Sequence, residues 1–188
     1  METKYEAQDF KRLLGMPGMS DALLTNHFAL YEGYVKNVKA LLELLKTKEL
    51  GTPEYAELKR RFGWEWNGMR LHELYFGNMT KESVEANGGI LKAIEASFGS
   101  FENWKKDFVG TGTMRGIGWV ILVKDTESGN LFNVWINEHD GGHLVGATPL
   151  LVMDVFEHAF MLDYGLKRAD YIETFFKAID WEVVEGRL

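Results

Sequence analysis

Asp154-Val155-Phe156-Glu157-His158-Ala159-Phe160-Met161-Leu162-Asp163-Tyr164 follows an apolar run, Leu150-Leu151-Val152-Met153, that reads as a short buried strand. A helical pattern begins at once, and Asp is a good N-cap, so the strand-to-helix switch is expected at Asp154. His158 comes four residues later, so in a helical turn the two side chains share a face. A hard carboxylate and an imidazole converging at the mouth of a strand make half of a metal site. The same pair also reads as a capping aspartate beside a core histidine, and these two residues alone do not choose between the readings.

Upstream, Ser20 or Asp21 can cap a long helix running to about Lys48. Leu23, His27, Leu30, Tyr31, Tyr34, Val38, Leu41, Leu42 and Leu45 recur along it at three and four, which puts His27 and Tyr34 in its apolar stripe. Gly51-Thr52-Pro53 breaks the chain, with Thr52 as cap and Pro53 at the first helical position. The next helix carries Leu58, Phe62, Trp66, Met69, His72 and Phe76 on one face and ends at Asn78 and Thr80. Two antiparallel helices, each with one inward histidine, can close half of a coordination shell.

Beyond Lys81 the pattern shortens. Helices are expected over 83–98 and 101–109, split by Gly99-Ser100, and then an irregular glycine-rich stretch over 110–118. Residues 119–123 and 131–136 read as two strands of a hairpin, 137–143 as a loop, 150–153 as a third strand, 154–164 as a helix and 170–179 as the last helix. The expected fold is α+β: a long N-terminal helical hairpin over residues 1–80 and a C-terminal α/β lobe over 81–188 with a three-stranded antiparallel sheet.

A chain of 188 residues, 46% apolar and with six Trp, can bury a sizeable core. Its net charge of −7 argues against non-specific binding to nucleic acid or anionic membranes. With no cysteine, chelation falls to His, Asp and Glu. Met1 to Gly15 has no h-region and no run approaches a membrane span, so a cytoplasmic protein is expected. Of the five histidines, pattern puts His27 and His72 in apolar faces and His139 and His143 in a loop, without saying which meet Asp154.

The 154–160 stretch, with Leu162-Asp163-Tyr164 after it, resembles the D-x-W-E-H-A-Y metal-binding signature of the iron/manganese superoxide dismutases. Ala147-Thr148-Pro149-Leu150-Leu151, Ala96-Ser97-Phe98-Gly99-Ser100-Phe101 and Gly116-Ile117-Gly118-Trp119 are similar to further blocks of that family, in the same order. The likeness runs from about Leu23 to the C-terminus.

The resemblance implies the hairpin-and-lobe fold and a ping-pong dismutation of superoxide to oxygen and hydrogen peroxide. It also implies one iron ion per subunit, with manganese the alternative, held by His27, His72, Asp154 and His158. Tyr34 matches a tyrosine of the substrate funnel and proton network, and Trp119 an aromatic wall of the metal cavity. Phe76 and Phe156 stand where the family commonly has tryptophan. Glu157 matches a glutamate that reaches the partner's equivalent of His158, which implies a homodimer, possibly a tetramer. The glutamine that usually bonds metal-bound solvent is absent, since its two positions hold Gly68 and His139; the role is expected to pass to His139. His143 matches no role and is expected at the surface. The family's His–Tyr bridge across the interface also lacks both partners, because Leu30 and Tyr31 stand at one end and Phe160 and Met161 at the other. Two other readings of the same residues are a non-catalytic metal-binding or interaction module and a zinc hydrolase. The second lacks an obvious general base beside the open coordination position.

Overall fold

Ser20 starts the longest helix: its hydroxyl accepts a hydrogen bond from the Leu23 N–H, and α1 runs Asp21–Thr47. Thr52 does the same for the Tyr55 N–H, with Pro53 in the first turn, and α2 runs Pro53–Gly77. The computed structural model describes residues 5–188; residues 1–4 of the 1–80 hairpin and of the Met1–Gly15 stretch lie outside it. Both long helices bury their facing stripes, among them Leu23, His27, Tyr34 and Val38 from α1 and Met69, His72 and Phe76 from α2.

The connection after α2 differs from expectation. Residues 81–87 are not helical, and α3 spans Gly88–Phe98. The Ser83 hydroxyl donates to the Ile179 carbonyl instead of capping a helix. The cap comes from far along the chain, where the Glu185 carboxylate accepts the N–H groups of Gly89 and Ile90 at 2.9 and 2.5 Å. Helix α4, Phe101–Gly112, starts on the Ser100 hydroxyl and runs three residues past the expected end.

Strands β1 (Gly118–Asp125), β2 (Leu131–Asn137) and β3 (Ala147–Asp154) form an antiparallel sheet in the order β2-β1-β3. Register places Trp119 opposite Ile136 on one side and Asp154 on the other. Directly opposed residues project to the same face, so Trp119 and Asp154 share one. Side chains occupy both outer edges. Asn78 accepts from the Val152 N–H at 2.9 Å and donates to the Val152 carbonyl at 3.2 Å, and the Ser97 hydroxyl accepts from the Leu131 N–H at 3.0 Å.

After β3 the expected helix over 154–164 does not form. Asp154 is the last residue of the strand, and its Oδ1 accepts the Phe156 N–H two residues on, an Asx-type turn rather than a helix cap. A 3₁₀ turn over Glu157–Ala159 and the single turn α5, Met161–Tyr164, follow. The expected last helix over 170–179 is α6 (Arg168–Phe176), which ends three residues early, and an unexpected short helix, α7 (Trp181–Glu185), follows it. The break falls where Ala178 and Asp180 pair through their backbone with Thr80 and Asn78. One continuous apolar core links α1 and α2 to the sheet and to α3, α4, α6 and α7.

Candidate metal centre

Four side chains from four elements meet in the core. His27 comes from α1, His72 from α2, Asp154 from the end of β3 and His158 from the 3₁₀ turn. One ligand atom of each lies within 4.8 Å of the other three. Asp154 Oδ2 is the hub, with Nε2 of His27 and His158 each at 3.2 Å and Nε2 of His72 at 3.7 Å. His27, His72 and Asp154 are buried, while the His158 side chain keeps 29% exposure. Asp154 and His158 converge without a helix, because the Asx turn and the 3₁₀ turn fold the four-residue span back on itself.

The protonation pattern shows what fits there. His72 Nδ1 donates to the Gly68 carbonyl at 2.5 Å, so its Nε2 is the lone-pair nitrogen of the neutral ring. That Nε2 is buried, has no hydrogen-bond partner, and faces a carboxylate oxygen. A lone pair held against an anion in the core is repulsive, and a cation between the two relieves it. Burial lowers the pKa of His27, and burial followed by the nearby His27 lowers that of His72 well below its ordinary value. Both rings therefore offer neutral donors near pH 7. Burial alone would raise the Asp154 carboxyl, but His158 and His27 beside it hold it below the usual carboxylate range. Three imidazoles and one carboxylate suit iron or manganese.

Next to the donors lies a short polar chain inside an aromatic shell. The Trp119 indole N–H donates to His139 Nδ1 at 3.0 Å, and His139 Nε2 is 2.7 Å from the Tyr34 hydroxyl. The Tyr34 ring stacks on His72 with centroids 5.2 Å apart. Burial, with the Asp154 and Glu65 carboxylates adding to it, raises the Tyr34 phenol above its ordinary value, so it stays protonated. Burial lowers His139 to about 4. Both ring nitrogens of His139 thus lie within hydrogen-bond distance of protein groups, Nδ1 of the Trp119 indole and Nε2 of the Tyr34 hydroxyl. Phe156 stacks on His139 and on His158, at 4.9 and 5.1 Å.

The remaining expected residues lie further out. Glu157 is exposed next to His158, on a surface cavity of about 390 Å³ that also takes in Asn26, Met161 and Leu162. His143 is exposed, and its Nε2 bonds the His139 carbonyl at 2.9 Å. At the positions of the missing bridge, Tyr31 and Phe160 are buried, whereas Leu30 and Met161 are exposed. Tyr31 instead donates to Glu73 Oε1 at 3.0 Å.

Sequence reasoning missed three neighbours of the site. Trp64 packs edge-on against His139 at 4.5 Å and lies 5.5 Å from Tyr34. Its spacing of eight residues before His72 carried the signal, since that is just over two helical turns. Tyr171 donates to the Asp154 carbonyl at 2.8 Å, which commits its hydrogen and makes Tyr75 the donor in the 3.0 Å bond between the two hydroxyls. Nothing local in the sequence pointed to Tyr171 or to Tyr75, whose ring lies 5.4 Å from that of His27.

A set of three imidazoles and one carboxylate, buried but for part of His158, on a helical hairpin and a small antiparallel sheet fits a mononuclear metalloprotein of the iron or manganese class. The family model for iron/manganese superoxide dismutases, C-terminal domain, matches residues 86–187. The chain is 36% identical to superoxide dismutase [Mn] 2 of Haloferax volcanii, covering 91% of this chain and 87% of that protein. It is 35% identical to superoxide dismutase [Fe] of Cupriavidus metallidurans over 89% of this chain and 87% of the relative. Against superoxide dismutase [Fe] of Aquifex pyrophilus it is 34% identical, over 98% and 91%. The chain belongs to the iron/manganese superoxide dismutase family. Among the described residues no helix is long and apolar enough to cross a membrane.

Proposed function

We propose that this chain is a superoxide dismutase whose single ion, iron with manganese the alternative, is held by His27, His72, Asp154 and His158. The observation that carries the assignment is the buried, unpartnered Nε2 of His72 facing Asp154 across 3.7 Å. An iron or manganese ion held by these four side chains would supply the one-electron redox chemistry that dismutation needs. The protein's residues do the rest. Asp154 offsets part of the cationic charge, and the neutral imidazoles leave enough of it to attract a small anion. Trp119, Phe156 and Trp64 keep bulk water from the pocket. Peroxide needs two protons, and Tyr34 holds one at its hydroxyl, stacked on His72. His139 acts through Tyr34, to which it is bonded.

A homodimer belongs to the same reading. A liganding histidine with 29% exposure, an exposed glutamate beside it and the apolar Met161 and Leu162 at the rim suit a partner's surface. Glu157 would accept the free ring N–H of the partner's His158, the contact that a liganding histidine commonly makes.

The test is metal analysis of the purified full chain grown with iron and manganese both available, with a superoxide assay beside it. About one ion per chain and rapid dismutation are expected. His72→Ala should lose both, with roughly a 10²-fold or greater fall in activity, the cost of removing a ligand exceeding that of an outer partner. Unchanged activity in that variant would falsify the ligand assignment.

A further inference from the structure

We infer that Trp64 and Glu138 form a clasp between α2 and the loop after β2, and that this clasp holds His139 in its place beside Tyr34. The clasp matters for turnover only where His139 acts through Tyr34, so its functional half rests on that reading.

Three residues separate Asn137 from Gly141, and the backbones of these two exchange both hydrogen bonds, at 2.7 and 3.2 Å. The chain therefore reverses within Glu138, His139 and Asp140, and a reversal that tight calls for a left-handed residue. Glu138 supplies it, with φ of 52°, and among the described residues no other non-glycine residue has a positive φ. That region is unfavourable for a residue with a Cβ, and glycine is the ordinary choice there. A glutamate in its place needs a contact that its side chain makes. It has one: Glu138 Oε2 accepts from the Trp64 indole N–H at 3.0 Å. His139 follows at once and is fully buried, while Glu138 and Asp140 are exposed. The strained residue is thus the one that turns the histidine inwards.

Trp64 is itself held in place. The Arg61 guanidinium lies over its ring at 3.9 Å, and Arg61 Nε donates to Glu65 Oε1 at 2.8 Å. Glu65 is 3% exposed, and its other oxygen accepts from the Asn37 amide at 3.1 Å, so the clasp is rooted in the helical hairpin. That gives a buried carboxylate outside the metal centre a reason to be there. Inward, the Trp64 ring meets His139 edge-on at 4.5 Å and lies 5.5 Å from Tyr34. One indole therefore grips the loop's carboxylate with its N–H and packs against the loop's histidine with its ring. Apart from the His139–Tyr34 bond, this is the one hydrogen bond from a side chain of residues 137–143 to the hairpin among the described residues. Trp64 and Glu138 are positioning residues: they act on the reaction only through His139.

The deciding measurement is amide hydrogen exchange at Asn137 and Gly141 in the full chain, loaded with zinc as a diamagnetic occupant of the metal donors. The bonds these two amides exchange break when the loop lifts. Trp64→Phe, which keeps a ring, and Glu138→Ala should each speed exchange at both amides roughly tenfold, the effect of one lost hydrogen bond. The double variant should be no faster than Trp64→Phe alone, because both changes remove the same contact. Glu138→Gln keeps an acceptor oxygen and should exchange at close to the unaltered rate. Unchanged exchange in both single variants, or effects that add in the double one, would overturn the clasp. In the iron- or manganese-loaded chain, Glu138→Ala should shift the ion's absorption bands and lower turnover roughly tenfold, the low end for loss of an outer partner, and Glu138→Gln should restore both. Bands and turnover that stay put in Glu138→Ala while His139→Leu lowers turnover would reject the positioning role. Turnover unmoved by His139→Leu as well would reject instead the reading of His139 on which that role rests.

Discussion

Gly68 is the tightest fit around the site. A Cβ there would come within 2.6 Å of the Tyr34 ring, so the bare backbone is what lets that ring lie between α2 and His139. Gly68→Ala should cost about 2 kcal/mol through overpacking. For a chain of this size that lowers Tm by roughly 4–8 °C. The 2.7 Å bond to His139 should lengthen as the phenol shifts, and an unchanged Tm would mean that the ring has slack the geometry does not show. His139 gives a pH signature of its own. Unfolded, it titrates near 6.5; folded, burial holds it to about 4. Between those values the unfolded chain binds the extra proton, so stability is full above about pH 6.5 and falls as pH drops towards 4. The loss from this residue is at most roughly 3 kcal/mol. Urea melts at pH 7 and 4.5 should show a smaller drop for His139→Gln than for the unaltered chain, and equal drops would remove His139 from the account.

Among the elements, the joint between α2 and β3 controls where His72 and Asp154 stand. Asn78 is fully buried and spends all its bonding capacity there, donating to the carbonyls of Tyr75 and Val152 and accepting from the Val152 N–H and Arg187. Asn78→Ala should destabilise the chain by about 3 kcal/mol, because the Val152 N–H loses its partner in the core. It should also shift the absorption bands of the bound ion; a large stability loss with unmoved bands would make the joint a brace and no more. The elements legible in the sequence were those fixed by their neighbours. Ser20, Thr52 and Pro53 marked α1 and α2, an unbroken apolar run marked β1 and an apolar-rich run marked β2. The start of α3 was not legible, since its cap is Glu185, far along the chain. Neither was the early end of α6 with a further helix α7 after it, since the break depends on backbone pairing with Asn78 and Thr80. At the site, the stripes placed His27 and His72 inside, and the family resemblance named the four side chains that meet. The Trp119–His139–Tyr34 order was hidden because it depends on strand register.

Across the whole molecule, the question is how two copies would pair. The surface round His158 combines a carboxylate with exposed Met161 and Leu162. If two copies meet there, Glu157→Ala should weaken the dimer in sedimentation at micromolar concentration and expose His158 to solvent. A dimer unaffected by the substitution would place the interface elsewhere. With a net charge of −7 the copies also repel, so association should strengthen as salt is raised towards 0.15 M, where charge effects are screened beyond about 8 Å. An association that weakened with salt would instead point to ion pairs across the interface.

Three strands standing alone would ordinarily recruit a fourth from any passing chain. Here an amide from one helix and a hydroxyl from another occupy backbone groups on the two rims at Val152 and Leu131, as a bound peptide would. The protein thus carries its own terminators against strand addition. Growth into ribbons is discouraged at both borders.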